Sequence, residues 1–336
     1  MTISGCFKTD QHLVNIPHRW GACPNARFLL GEQSLLLLLI RHRAKILAFA
    51  GISVSALLGT PVQAEKLPAG HFWLELSGTG PFWHASRGEN YFIGATETKP
   101  EYSAAFFGEA GYRSNGSPWS ITMRGGYGVS ARLETAFNTS GTISGISAAF
   151  VGTADVKENL SFLDFEAGRD VIFGSSGTKL RLHAGLRYAR FRSKETGSGD
   201  QTYNGSTWAV TTLVKRKFSG VGPRIGLGSR TPLAESLSLR LDASGALLFG
   251  RRKYHATIIY PGFGLFTDDR NRETVVPVLS AHAALAWTPP SVPGMTVSLG
   301  YSVEAYFGIT ETWHVSGYGK SDRIIHGPKL SVRFEF

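Results

Sequence analysis

Almost everything after residue 69 alternates apolar and polar side chains with a period of two, and few folds accommodate that pattern over such a length. In residues 295–307, Met295, Val297, Leu299, Tyr301, Val303, Ala305 and Phe307 fall on one face. Thr296, Ser298, Gly300, Ser302, Glu304 and Tyr306 fall on the other. Residues 237–243 set Leu237, Leu239, Leu241 and Ala243 against Ser238, Arg240 and Asp242, and residues 179–188 behave in the same way. A pleated strand produces this separation and a helix does not.

Ten segments carry the pattern: 70–78, 103–114, 117–129, 160–173, 178–193, 214–229, 236–251, 273–289, 295–308 and 325–336. Most exceed the five or six residues usual for a soluble strand and match the roughly 9–11 needed to cross a bilayer at a tilt. Short connections fall at Asn115-Gly116, Gly174–Gly177, Arg230–Glu235 and Pro289–Gly294. They alternate with long ones at 79–102, 130–159, 194–213, 252–272 and 309–324. The expected fold is therefore all-β: a transmembrane antiparallel up-and-down barrel of about ten strands, with short periplasmic turns and long extracellular loops. A soluble sandwich or lipocalin-like barrel also alternates, but strand length and loop asymmetry argue against it. Trp73, Trp119, Trp287, Tyr188 and Tyr301 near strand ends suit interfacial aromatic girdles.

The N-terminus agrees with export. Arg41, His42, Arg43 and Lys45 precede an apolar run from Ile46 to Leu58, then Gly59-Thr60-Pro61 and Val62-Gln63-Ala64. These are the parts of a secretory signal, with cleavage expected after Ala64. Residues 1–64 are read as an upstream extension plus signal peptide, and 65–336 as one barrel domain. Residues 1–40 look like a mis-called start or an unusual extension. Both cysteines, Cys6 and Cys23, lie in the removed part, so the remainder depends on no disulfide. Without residues 1–64, 29 basic and 23 acidic side chains remain, a net charge of +6. Charged residues make up only 18% of the full chain, and no basic run interleaved with aromatics marks a nucleic-acid surface. The mean hydropathy of −0.05 is what a barrel gives when outward apolar and inward polar residues cancel.

Sites for chemistry are weak. Gly220, Gly222, Gly226 and Gly228 miss the dinucleotide spacing, and Pro223 stands where a helix would begin; a lumen-facing glycine row fits better. Asp268-Asp269 beside His255 has the make-up of a protease-like rim, but no second Asp–His pair matches it. Glu311 with His314, or His183 with serines, carries no hydrolase motif. No catalytic residue, no cofactor and no metal site is expected.

With the apolar faces toward lipid, Glu109, Arg113, Arg124, Asp164, Glu166, Lys179, Arg181, His183, Arg187, Arg224, Arg240, Asp242, Glu304, Lys329, Arg333 and Glu335 point into the lumen. That many charges must pair or meet water. Eight strands make a filled barrel and sixteen an open one, so ten leave the matter undecided. The first functional expectation is a narrow pore for small hydrophilic solutes, tilted toward anions if Lys179, Arg181, Arg187 and Arg224 dominate. The alternative is a surface-exposed adhesin or structural barrel with a closed lumen, acting through loops such as 130–159 and 252–272. A Gram-negative outer membrane is the expected location, with outer-membrane lipid and lipopolysaccharide as surroundings. Oligomeric state is open.

Two kinds of motif carry a resemblance. The last strand puts Leu330, Val332, Phe334 and Phe336 on one face and ends on an aromatic, similar to the signal that hands barrels to the barrel-assembly machinery. Residues 164–170 (Asp-Phe-Glu-Ala-Gly-Arg-Asp), 182–190 (Leu-His-Ala-Gly-Leu-Arg-Tyr-Ala-Arg) and 218–226 (Phe-Ser-Gly-Val-Gly-Pro-Arg-Ile-Gly) resemble the Legionella-type major outer membrane protein family. So does the closing segment 325–330, Ile-His-Gly-Pro-Lys-Leu. The likeness spans roughly residues 160–336, with a weaker one from Phe72 to Arg124. It implies a porin-like, surface-exposed barrel, with host contact in some members. This chain departs from the founding members in having no cysteine after Ala64.

Overall fold

Backbone hydrogen bonds tie the chain's last residue to its first described strand. Phe336 N donates to Phe72 O at 2.8 Å and Phe72 N to Phe336 O at 3.1 Å. The computed structural model describes residues 70–80, 82–85, 104–130, 133–143, 146–173, 177–203, 205–262, 264–314 and 317–336. The expected leader, both cysteines and most of the 79–102 connection lie outside the described residues.

The strands are β1 (His71–Thr79), β2 (Phe82–Ala85), β3 (Ala104–Arg113), β4 (Trp119–Val129), β5 (Leu133–Ile143), β6 (Ile146–Phe173), β7 (Thr178–Tyr203), β8 (Ser206–Ala234), β9 (Leu237–Tyr260), β10 (Gly264–Trp287), β11 (Met295–His314) and β12 (Gly317–Glu335). Among the described residues, ten form an antiparallel ring in the order β1, β3, β4, β6, β7, β8, β9, β10, β11, β12. β1 pairs back onto β12 from Trp73↔Glu335 to Thr79↔Lys329 and closes it. β2 continues the line of β1 along β12, and β5 continues that of β4 along β6. The ten-strand expectation holds.

The strands are longer than expected. β8 runs for 29 residues and β6 for 28, far beyond the roughly 9–11 that cross a bilayer. The connections read as long loops at 130–159, 194–213, 252–272 and 309–324 are mostly strand, paired as far as Ile143↔Ile146, Tyr203↔Ser206, Tyr260↔Gly264 and His314↔Gly317. Arg230–Glu235 is corrected too: β8 carries on through Ala234, with an irregularity between Pro232 and Ala234.

Side-chain chemistry divides each long strand into two regimes. On β9, Leu241, Leu247 and Phe249 are exposed on the outer wall while Ser244, Ala246 and Leu248 are buried inside. At a tilt of about 45°, the outward run from Leu237 to Phe249 rises about 28 Å, close to the ~25 Å apolar band of a membrane barrel. Past Phe249 the pattern reverses. Arg251 and Lys253 stand outside, and Tyr254 and Ala256 lie buried within. β8 does the same, with Val221, Ile225 and Leu227 exposed near the turn end and Lys215 and Lys217 exposed above, over buried Val214 and Phe218. On these two strands the outer wall thus turns from apolar to charged above the band, while the inside holds Val214, Phe218, Tyr254 and Ala256 beside buried Arg216 and Arg252.

Trp119 (55% exposed) and Trp287 (49%) stand on the outer wall as girdle residues should, as do Tyr188 and Tyr301. Trp73 does not. It is 0% exposed and lies inside the barrel opposite Gly111. A Cβ at position 111 would collide with the indole, so glycine is what lets the ring lie flat against β3. Inward phase on β1 places Trp73 with Glu75 rather than with Phe72 and Leu74.

Candidate functional site: the barrel interior

The interior is stacked in layers. At the turn end a polar chamber of about 630 Å³ opens outward. Glu109, Arg113, Arg124, Glu166, Lys179, Arg181, His183, Arg240, Asp242, Lys329, Arg333 and Glu335 line it, as the alternation predicts, together with Glu75, Asp170 and His282. Arg240 Nη1 lies 3.2 Å from Glu75 Oε2, and Arg113 pairs with Asp170. Trp73 donates Nε1–H to Glu109 Oε1 at 3.0 Å, with Arg181 and Arg333 over its ring at 5.4 and 4.7 Å. These charges pair across strands, which is what makes their enclosure tolerable.

The four remaining predicted residues, Asp164, Arg187, Arg224 and Glu304, are welded together above the chamber. Asp164 accepts two bonds from Arg187, at 2.6 and 2.9 Å, and one from Arg124 Nη2 at 2.9 Å. Arg187 Nη1 also reaches Glu304 Oε1 at 2.5 Å. Arg224 pairs with Glu166 and donates to Ser244 Oγ at 2.8 Å. Glu166 Oε2 lies 2.7 Å from His183 Nδ1, whose ring sits where a Cβ on Gly226 would collide. The glycine row of β8 therefore does face the lumen. Arg187 and Arg224 are neutralised by carboxylates, so the excess of positive charge expected from the basic residues reduces to Lys179 and Arg181 near the chamber mouth.

The third layer was not foreseen. Eleven buried side chains pack together across the interior: Leu160, Phe162, Ala189, Phe191, Phe218, Ala246, Leu248, Val276, Val278, Tyr306 and Ile309. Phe107 and Ile325 pack against them, so eight of the ring's strands contribute. Leu160 and Phe162 are in phase with Asp164 on β6, and that phase was the available signal. Arg187 lies 4.6 Å below the Phe162 ring centre and Arg323 5.5 Å from that of Phe191, so charges cap the layer on both sides.

Above it comes a second charged layer. Arg323 grips Glu158 in a fork of 2.9 and 2.8 Å, and Arg216 Nη1 binds Glu195 Oε2 at 2.9 Å. Arg252 donates to Thr310 O at 3.3 Å and to Thr274 Oγ1 at 3.0 Å. Small apolar groups follow, Val214 with Tyr254 and Ala256, then Ala154 with Val210. Near the far end Tyr260 donates to Gln201 Oε1 at 2.9 Å, and burial raises its phenol above the ordinary value of 10.

Outside the barrel, His255 Nδ1 lies 2.6 Å from Asp269 Oδ1 and His255 Nε2 3.2 Å from Thr257 Oγ1. Asp268 is held by Arg270 at 3.3 Å. The chain of three runs over open wall, with Asp269 72% exposed, where water competes for every bond. Among the described residues no group of three or more His, Cys, Asp or Glu side chains is arranged to hold a metal ion.

The sequence matches the family model of the Legionella pneumophila major outer membrane protein precursor over residues 73–336. The chain belongs to that family. Its members are outer membrane proteins of Gram-negative bacteria, in agreement with the ring of strands and its apolar band. No curated protein sequence matches this chain. Among solved structures, the outer membrane protease OmpT from Escherichia coli superposes with a TM-score of 0.51 at 12% identity, covering 82% of this chain and 99% of that one. At that identity the likeness shows the fold alone. A major outer membrane protein from Thermus thermophilus gives a TM-score of 0.31 at 12% identity, covering 80% of this chain and 100% of that one.

Proposed function

We propose that this family member is a barrel closed at mid-height, a structural or contact protein of the cell surface acting through the strands that continue beyond the membrane. The observation that carries this reading is the apolar layer. A water-filled pore needs lumen side chains that meet solvent, whereas Phe191, Leu248, Val276, Tyr306 and Ile309 are 0% exposed. Charge networks on both faces of the layer support the same reading, because separating them would leave buried ions unpaired. The reading is non-enzymatic, and export through a leader ending at Ala64 belongs to it.

A second reading, a narrow pore for small hydrophilic solutes, is favoured by the chamber, whose charged lining suits water and ions. It requires the apolar layer to move. Single-channel recording from the purified protein in a planar bilayer separates the two. A closed barrel gives no steps above lipid background; discrete steps from correctly folded protein would remove the first reading in favour of the second.

A further inference from the structure

The outer wall just above the apolar band is strongly basic over four neighbouring strands. Arg192, Lys217 and Lys253 stand directly opposite one another on β7, β8 and β9, and Lys157, Lys194 and Lys215 form a second row on β6, β7 and β8. All six are exposed. Like charges directly opposite on one face destabilise a sheet. Among the described residues no carboxylate is ion-paired with any of the six. The neighbouring Arg251 has Glu273 at 3.6 Å, in a pair too exposed (63% and 85%) to hold it firmly. The rows therefore concentrate positive charge on a surface that the protein itself does not neutralise.

Their height supplies the partner. On the same outward faces, Tyr188, Val221 and Phe249 are the last exposed apolar residues before the charges begin. Phe249 precedes Arg251 by two positions, about 7 Å along the strand. The termini and short turns lie at the opposite, periplasmic end of such a barrel, so the rows lie at the headgroup level of the outer leaflet. A ligand that fits must present phosphates at that level and acyl chains beneath them.

We propose that the outer wall of β6–β9 binds the phosphorylated glycolipid of the outer leaflet, lipopolysaccharide. Its phosphates lie among the two lysine and arginine rows, and its acyl chains lie against Tyr188, Val221 and Phe249. The proposal is independent of whether the lumen conducts, because every residue it uses faces away from the lumen.

The test uses protein exported by its own leader, purified from outer membranes and checked for folding by heat-modifiable migration. Binding of fluorescent bisphosphorylated lipid A in neutral-detergent micelles is compared for the wild type and for K215Q/K217Q/K253Q. Surface attraction of this kind is worth about fivefold per charge, so the triple variant is expected to bind about a hundredfold more weakly, with the wild-type affinity falling as salt is raised. A second variant, R192Q/K194Q, should lose affinity in the same direction, while R169Q/K320Q, at exposed positions outside the rows, should not. Unchanged binding by both row variants overturns the proposal. So does equal wild-type affinity for dephosphorylated lipid A, which would leave only acyl-chain contact. Equal affinity for phosphatidylglycerol micelles also overturns it, because the wall would then be a general anionic-lipid surface.

Discussion

Arg187 holds Asp164 by two parallel donations from the directly opposed position on the next strand, and both side chains are 0% exposed. The pair joins the chamber below to the apolar layer above, since Arg187 also lies under the Phe162 ring. Replacing Asp164 by Asn would leave Arg187, Arg124 and Arg224 short of a counter-charge. The expected cost is about 3–5 kcal/mol. D164L/R187M should not recover it, because Glu304 then loses Arg187 while Arg124 still lacks Asp164. Urea unfolding of the folded barrel measures both, and a small loss in either would mean that water has taken the missing partner's place.

Phe191 and Phe218 stand directly opposite each other on β7 and β8 within the apolar layer, and neither carries a polar atom that anchors it. Phe191→Ala and Phe218→Ala should each lower stability by about 3–5 kcal/mol while opening a gap beside the charged layers. If the layer is the barrier, the combined variant conducts in planar bilayers where the wild type is silent. A silent variant that is correctly folded would put the barrier in the ion-pair layers instead.

The inside–outside assignment of the tryptophans is open to direct test. Trp119 and Trp287 are exposed on the outer wall and Trp73 is enclosed between Arg181 and Arg333. In vesicles containing brominated lipid, Trp119→Phe and Trp287→Phe should each remove a share of the quenchable fluorescence. Trp73→Phe should remove only unquenched signal; a drop in the quenchable part would place its indole in lipid.

The alternation made the ring legible because the pleat admits no other reading of Leu180, Leu182 and Leu186 against Arg181, His183 and Arg187. It also put twelve charged residues on the chamber's side of their strands, while Glu75, Asp170 and His282 were passed over. It failed where the polarity of the two faces changes without any change in period. Above Phe249, charged Arg251 and Lys253 face water and Tyr254 faces inward, so composition there looks like a loop although the strand continues. The same change hid Glu158, Glu195 and Arg323, which keep the inward phase of their strands but lie in segments whose polarity signals solvent. Trp73 was misplaced for a related reason. Its nearness to a strand end pointed to a girdle, while its phase with Glu75, and a glycine across the pair, pointed inward.

Phe336 closes the ring through both its backbone groups while its ring stands 74% exposed on the outer wall. Those two contributions separate by substitution. Phe336→Ser keeps the hydrogen bonds to Phe72 and removes the aromatic ring, whereas deleting residue 336 removes both. If the terminal ring acts as an assembly signal, Phe336→Ser and the deletion should both reduce the heat-modifiable, membrane-inserted form in cells, and Phe336→Tyr should restore it. Once refolded in detergent, the serine variant should unfold in urea close to wild type, because a side chain facing lipid adds little to a barrel held by its backbone ladder. Normal membrane levels for Phe336→Ser beside low levels for the deletion would assign the terminal residue to closure alone.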